Sequence, residues 1–141
     1  MLIDTIFPNK AILEIAFLNQ VDFYSIYFHN NAYLIVGKDK DIENNLIGIT
    51  NSGEVYYLTL DDSRTCYVSK DIDTFVNELL LFDRFVEKNM DIENQDELLL
   101  SQLANSFRNE LLKLDKSAFR DGAVSTFWSE VCEEIEYGIL I

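Results

Sequence analysis

Ile47–Leu60 reads IGITNSGEVYYLTL: an apolar run, a polar knot at Thr50-Asn51-Ser52-Gly53, and a second apolar run. Gly53 has no Cβ, so it adopts the positive φ of a tight turn without strain, and Asn51 tolerates that region better than most residues. Two β-rich runs joined by Ser-Gly predict a hairpin. In Glu54–Leu60 the side chains alternate, with Val55 and Tyr57 on one face and Tyr56, Leu58 and Leu60 on the other. Both faces are apolar. A strand of this kind is covered on both sides, by helices on one and by loops or a partner on the other.

Similar short runs flank the hairpin. Asp22–His29 (DFYSIYFH) sets Tyr24, Ile26 and Phe28 on one face, Tyr33–Gly37 (YLIVG) ends at its glycine, and Thr65–Ser69 (TCYVS) follows. The short turns between them favour an antiparallel meander over crossover units. After Ser69 the apolar period changes from two to about 3.6. Asp71 is a good N-cap, with Asp73 in the first turn, and Ile72, Phe75, Val76, Leu79, Leu80 and Val86 carry helical spacing through Asn89. Asn94 and Glu97 have capping-box spacing ahead of the stripe Leu100, Leu103, Phe107, Leu111 and Leu114. A last helix over 125–137 places Val124, Phe127, Trp128, Val131, Cys132 and Ile135 on one face and Glu130, Glu133 and Glu134 opposite, and Gly138 stops it. Strands followed by helices make the fold class α+β, one domain over residues 1–141, with a mostly antiparallel N-terminal sheet packed by C-terminal helices and Trp128 buried between them.

With 141 residues and 48% hydrophobic content the chain builds a real core. Cys66 and Cys132 stand far apart, with no CxxC and no neighbouring histidine. They read as free thiols of a reducing compartment. The opening MLIDTIFPNK lacks a basic region followed by a long apolar run, and no run reaches the roughly 18 residues of a membrane span, so a cytoplasmic protein is expected. Acids outnumber bases 25 to 11, a formal charge of −14. Such a chain repels nucleic acid and anionic lipid and is drawn to basic partners.

Motifs for chemistry fail one by one. His29 is the single histidine, at a strand end beside Asn30 and Asn31, and no GxSxG elbow surrounds a serine. Asp39-Lys40-Asp41-Ile42-Glu43 resembles the start of a calcium loop, but Asn44 stands where glycine is needed and Thr50 where the bidentate glutamate is needed. A solvated acidic loop accounts for it better. Asp61-Asp62 reads as a turn, an acid/base pair or part of a partner-facing patch. There is no phosphate loop, dinucleotide fingerprint or zinc spacing, so neither cofactor nor metal is expected.

The ordered series Tyr33-Leu34-Ile35-Val36-Gly37, Asn45-Leu46-Ile47-Gly48-Ile49, Ser52-Gly53-Glu54-Val55-Tyr56-Tyr57-Leu58 and Tyr67-Val68-Ser69 leads into Asp71-Ile72-Asp73-Thr74-Phe75. It resembles the SUKH superfamily, in particular its fourth immunity group. Phe127-Trp128-Ser129-Glu130 and Glu133–Leu140 resemble the family's closing tryptophan helix, and Ile6-Phe7-Pro8 its G-L-P-like opening, with Ile6 where glycine is usual. The resemblance implies an immunity protein that binds and neutralises a cognate bacterial polymorphic toxin, a nuclease or nucleotide-modifying enzyme, without catalysis. It supplies no catalytic residues.

Three functions follow for comparison: an immunity protein that meets a basic toxin surface with acidic side chains, an interaction or regulatory module with a cellular protein partner, and a small enzyme using Asp61, Asp62 or Glu54. The first accounts for the charge as well as the failed motif search. Its candidate contact residues are the loop acids Asp39, Asp41 and Glu43, the pair Asp61 and Asp62, and the helix acids Glu130, Glu133 and Glu134. Tyr56 or Tyr57 would serve as an aromatic anchor where a strand face is open.

Overall fold

The computed structural model describes residues 5–89, 96–119 and 126–138. Strands β1 (Ile15–Phe17), β2 (Tyr24–Phe28), β3 (Asn31–Asp39), β4 (Asn45–Ile49), β5 (Val55–Thr59) and β6 (Arg64–Ser69) precede helices α1 (Ile72–Asn89), α2 (Glu97–Leu114) and α3 (Phe127–Glu136). All strand pairs are antiparallel, in the order β1-β3-β4-β5-β6, with β2 also paired to β3. The expected α+β organisation is what the chain adopts.

The β4–β5 hairpin closes as its sequence dictates. Gly53 has φ +92°, its N–H donates to Thr50 O at 2.9 Å, and Thr50 N–H donates to Glu54 O at 2.9 Å. This is a three-residue loop with glycine at the left-handed position. The β2–β3 hairpin is tighter. Phe28 pairs with Asn31, and the two residues between them, His29 and Asn30, have φ of 53° and 62°. Positive φ at both central positions is the I′ turn that matches strand twist. His29 is therefore an exposed turn residue. Gly37 does not end its strand as expected, because β3 runs on to Asp39 to pair with β1. A Cβ on Gly37 would lie 3.1 Å from Ala16 O and 3.3 Å from the Phe17 ring, so the glycine permits the close approach of β1.

Val36, Ile47, Ile49, Val55 and Val68 face the helices and meet Phe75, Leu79, Phe82, Phe107, Leu111, Trp128 and Ile135 in the main core. Trp128 is fully buried, with Phe75, Phe107 and Phe127 edge-on to it. The opposite face holds a second cluster of Tyr33, Ile35, Leu46 and Leu58, flanked by half-buried Leu18, Ile26, Phe28, Tyr56 and Leu60. This face is closed largely by its own side chains. Tyr33 lies over Gly48, where a Cβ would come within 3.0 Å of it, and Tyr33, Tyr56 and Tyr67 form an edge-to-face row at 6.1 and 5.8 Å.

Caps fix the helix starts. Asp71 accepts from Thr74 N–H, as expected. In α2 the cap is Asp96, which accepts from Leu99 N–H at 2.7 Å, while the anticipated Asn94 lies outside the described residues. Thr126 and Ser129 form a reciprocal capping box on α3, and Gly138 at φ +74° follows its end. Val124, expected on the α3 apolar face, also lies outside the described residues.

Candidate functional site

One end of the sheet collects most of the candidate acids. The β4–β5 register pairs Asn45 with Thr59, which brings the β3–β4 loop beside the β5–β6 turn. Leu60 N–H donates to Asn44 O at 3.1 Å, and Asn44 Nδ2 donates to Asp61 Oδ1 at 3.0 Å. Asp41 and Glu43 of the loop and Asp61 and Asp62 of the turn are all exposed there. Asp39 differs from the solvated residue expected, being only 8% exposed. Its carboxylate accepts from the N–H groups of Asp41 and Ile42 and from the Tyr57 hydroxyl at 3.3 Å. Its role is to hold the loop in shape, with its charge spread over three donors.

Tyr57 links this end to α3. It also accepts from Asn45 Nδ2, and its ring stacks on Phe127 with centroids 5.7 Å apart. Beside the stacked pair, Thr59, Arg64, Cys66, Glu130, Val131 and Glu134 complete a cleft of about 250 Å³ between β5, β6 and the first turns of α3. Thr59 and Arg64 flank the turn that carries Asp61 and Asp62, so that acidic turn stands at the mouth of the cleft. Glu130 and Glu134 stand one helical turn apart, and exposed Glu133 lies beside them. α3 contains Glu130, Glu133, Glu134 and Glu136 with no basic residue in its last turn. Partial burial raises the Glu134 carboxyl above its usual range, and repulsion from Glu130 and Glu133 adds to it. A cation brought to this surface relieves that repulsion.

The thiol in the cleft is held in its neutral form. Burial pushes the Cys66 thiol up to about 12, as does the negative charge of Glu130, whose Oε2 lies 3.9 Å from the sulfur. A thiol in this state is not a nucleophile at neutral pH. Among the described residues no group of His, Cys, Asp and Glu side chains is arranged to hold a metal ion. No described helix is long and apolar enough to cross a membrane. Tyr57, Arg64 and Cys66 escaped sequence reasoning as parts of one site, although Tyr57 had been noted singly as an aromatic anchor. The signal for it was an aromatic residue on the helix-facing side of β5, next to a strand end.

A second carboxyl cluster lies inside the protein. Glu78 of α1 is fully buried, and its Oε1 accepts from Ser69 Oγ and from Trp128 Nε1 at 2.9 Å, while Oε2 has no partner among the described residues. Burial lifts Glu78 to about 8 despite these two hydrogen bonds, and Asp115 and Asp71 push it further up. It lies in the core against Trp128, away from the surface cleft.

A search of the curated proteins returned no match, and neither did a search of the solved structures. The model of one protein family, SUKH-4 immunity protein, matches residues 4–134. That span takes in the whole sheet, α1, α2 and the groove-lining part of α3. The chain belongs to the SUKH-4 immunity protein family.

Proposed function

We propose that this protein neutralises a bacterial toxin by laying its acidic sheet end and the outer side of α3 over the toxin's basic substrate-binding surface, with no catalysis of its own. The observation that carries the proposal is that exposed Glu130 and Glu134 line one aromatic-walled cleft, with Glu133 next to them on α3, while exposed Asp41, Glu43, Asp61 and Asp62 gather at the adjoining end of the sheet. Nucleases and nucleotide-modifying enzymes need positive surfaces to hold phosphate, so a carboxylate array competes with their substrates by charge as well as by bulk. The stacked Tyr57–Phe127 pair gives the centre of this surface a rigid apolar floor, on which a cationic side chain rests with its charge toward Glu130 and Glu134. The absence of a reactive thiol in the cleft and the turn position of the single histidine favour occlusion over chemistry.

Growth of cells expressing each candidate toxin domain found in the neighbouring genes tests the reading. Co-expression of the wild-type chain is expected to restore growth, and the combined Glu130→Lys, Glu133→Lys, Glu134→Lys variant to fail at equal expression. Rescue by neither would refute immunity to that toxin. Equal rescue by both would leave immunity standing and remove α3 as the contact face.

A further inference from the structure

The opposite edge of the sheet carries a different surface. From Phe23 through Gly37 the chain has no Asp, Glu, Lys or Arg, although the whole chain carries 25 acids and 11 bases. That stretch includes all of β2, whose only strand neighbour among the described residues is β3. Edge strands are ordinarily protected by lysines, prolines or bulges, and β2 has none of these. It instead presents Tyr27 at 82% exposure, with Val21 at 91% just ahead of the strand.

The hairpin fixes which backbone groups are open. The two-residue His29–Asn30 turn makes Phe28 and Asn31 a hydrogen-bonded pair, and the alternation of antiparallel ladders makes Ile26–Tyr33 and Tyr24–Ile35 the next such pairs. The N–H and C=O groups of Ser25 and Tyr27 therefore point away from β3, toward the free edge. On the same side of the sheet, Ser25, Ala32, Leu34 and Ile49 floor a cleft of about 410 Å³, with Asp71 and Asp73 on its far rim.

We infer that β2 pairs with β2 of a second copy of this chain, antiparallel about a two-fold axis at Ile26. In that register Ser25 of each copy exchanges both hydrogen bonds with Tyr27 of the other, so all the outward groups of the two strands are satisfied at once. The side chains complement each other in size. Small Ser25 lies opposite large Tyr27, whose ring crosses it into the cleft above Ala32 and Leu34, where Asp71 and Asp73 offer acceptors to its hydroxyl. The same two-fold sets Asp22 against the other copy's His29–Asn30 turn and not against another carboxylate. Charge selects this occupant. A basic partner gains nothing from an uncharged edge, whereas two molecules of charge −14 meet most easily where carboxylates are missing. β2 lies on the β3 side of the strand order, whereas the acidic cleft lies between β5, β6 and α3, two or more strands away.

Sedimentation of the purified chain from about 5 µM to about 0.5 mM in about 0.15 M salt tests the inference. A monomer–dimer equilibrium with a dissociation constant on the order of 10 to 100 µM is expected for so short a contact. Ser25→Pro removes one outward N–H without touching the ladder to β3, and Tyr27→Glu sets a carboxylate toward Asp71 and Asp73 of the other copy. Each is expected to weaken the dimer at least about tenfold. Amide exchange at Ser25 and Tyr27 in the wild type is expected to slow as concentration rises. A monomer across the whole range overturns the inference, as does a dimer that persists in both variants. Protection of these two amides only when a toxin domain is added gives the edge to the toxin and overturns it equally.

Discussion

Replacing Glu78 by Gln changes how stability depends on pH. In the folded protein the carboxyl is held near 8 against an ordinary 4.5, chiefly by burial. Ser69 and Trp128 both donate to Oε1, and Oε2 has no partner among the described residues. Below the unfolded value both states are protonated, and Glu78 contributes no pH dependence. Between about 4.5 and 8 the unfolded chain releases its proton while the folded chain retains it, so the folded state loses stability as pH rises. Above about 8 the loss is complete. At 1.36 kcal/mol per pH unit, a rise from 4.5 to about 8 corresponds to about 5 kcal/mol in full, and about 3 kcal/mol of it has accrued by pH 7. Gln keeps the Oε1 acceptor and cannot ionise. Urea unfolding followed by the fluorescence of Trp128, the single tryptophan, measures both proteins from pH 5 to 9. Glu78→Gln is expected to gain on the wild type steadily up to about pH 8 and to hold that margin above it. A stability difference that stays constant with pH would refute the assignment of a protonated, buried Glu78.

Other expectations follow from single contacts. Gly48→Ala should destabilise by about 1 to 3 kcal/mol, because its Cβ would press against Tyr33 at 3.0 Å and Leu58 at 3.2 Å; thermal unfolding reads this, and an unchanged midpoint would count against the tight second face. Cys66 should resist alkylation at pH 8 in the native protein and react on unfolding, since its thiol is held near 12; rapid native labelling at Cys66, in a Cys132→Ala background, would contradict the burial described. Affinity for a cationic partner should fall as pH drops through the raised Glu134 titration, and Glu134→Gln should remove part of that dependence; titration calorimetry at several pH values detects it.

The architecture was legible wherever its cause was local. The Ser52-Gly53 turn, the Asp71 cap, most of the apolar stripes of α1 to α3 and the Gly138 stop are written in neighbouring residues and are used by the structure, with Leu80 of the expected α1 stripe the exception, turned to solvent at 36% exposure. β1 was missed because Ile15–Phe17 is too short to show a period, and its pairing with Gly37–Asp39 is a long-range event. The His29–Asn30 turn was missed for want of the usual glycine. Glu78 left a trace: it interrupts the inward stripe of Phe75, Leu79 and Phe82, and a carboxyl at such a position signals a buried polar partner. The acids of the candidate site were visible one by one. Their convergence depends on the β4–β5 register and on how α3 settles against β5 and β6, and neither is encoded within reach of a sequence window. Asp39 was read as solvated because nothing in its own loop discloses Tyr57, 18 residues away.

The account rests on capture of a basic toxin surface by the acidic cleft, and the association rate tests that most directly. Stopped-flow mixing with a toxin domain that the chain neutralises in the growth test, at salt concentrations from about 0.02 to 0.5 M, separates charge steering from simple fit. The account predicts a rate that falls by about tenfold or more across this range, and a Glu130→Lys, Glu133→Lys, Glu134→Lys variant that associates slowly with little salt dependence. Wild-type association that is insensitive to salt, or unaltered in the variant, would contradict it.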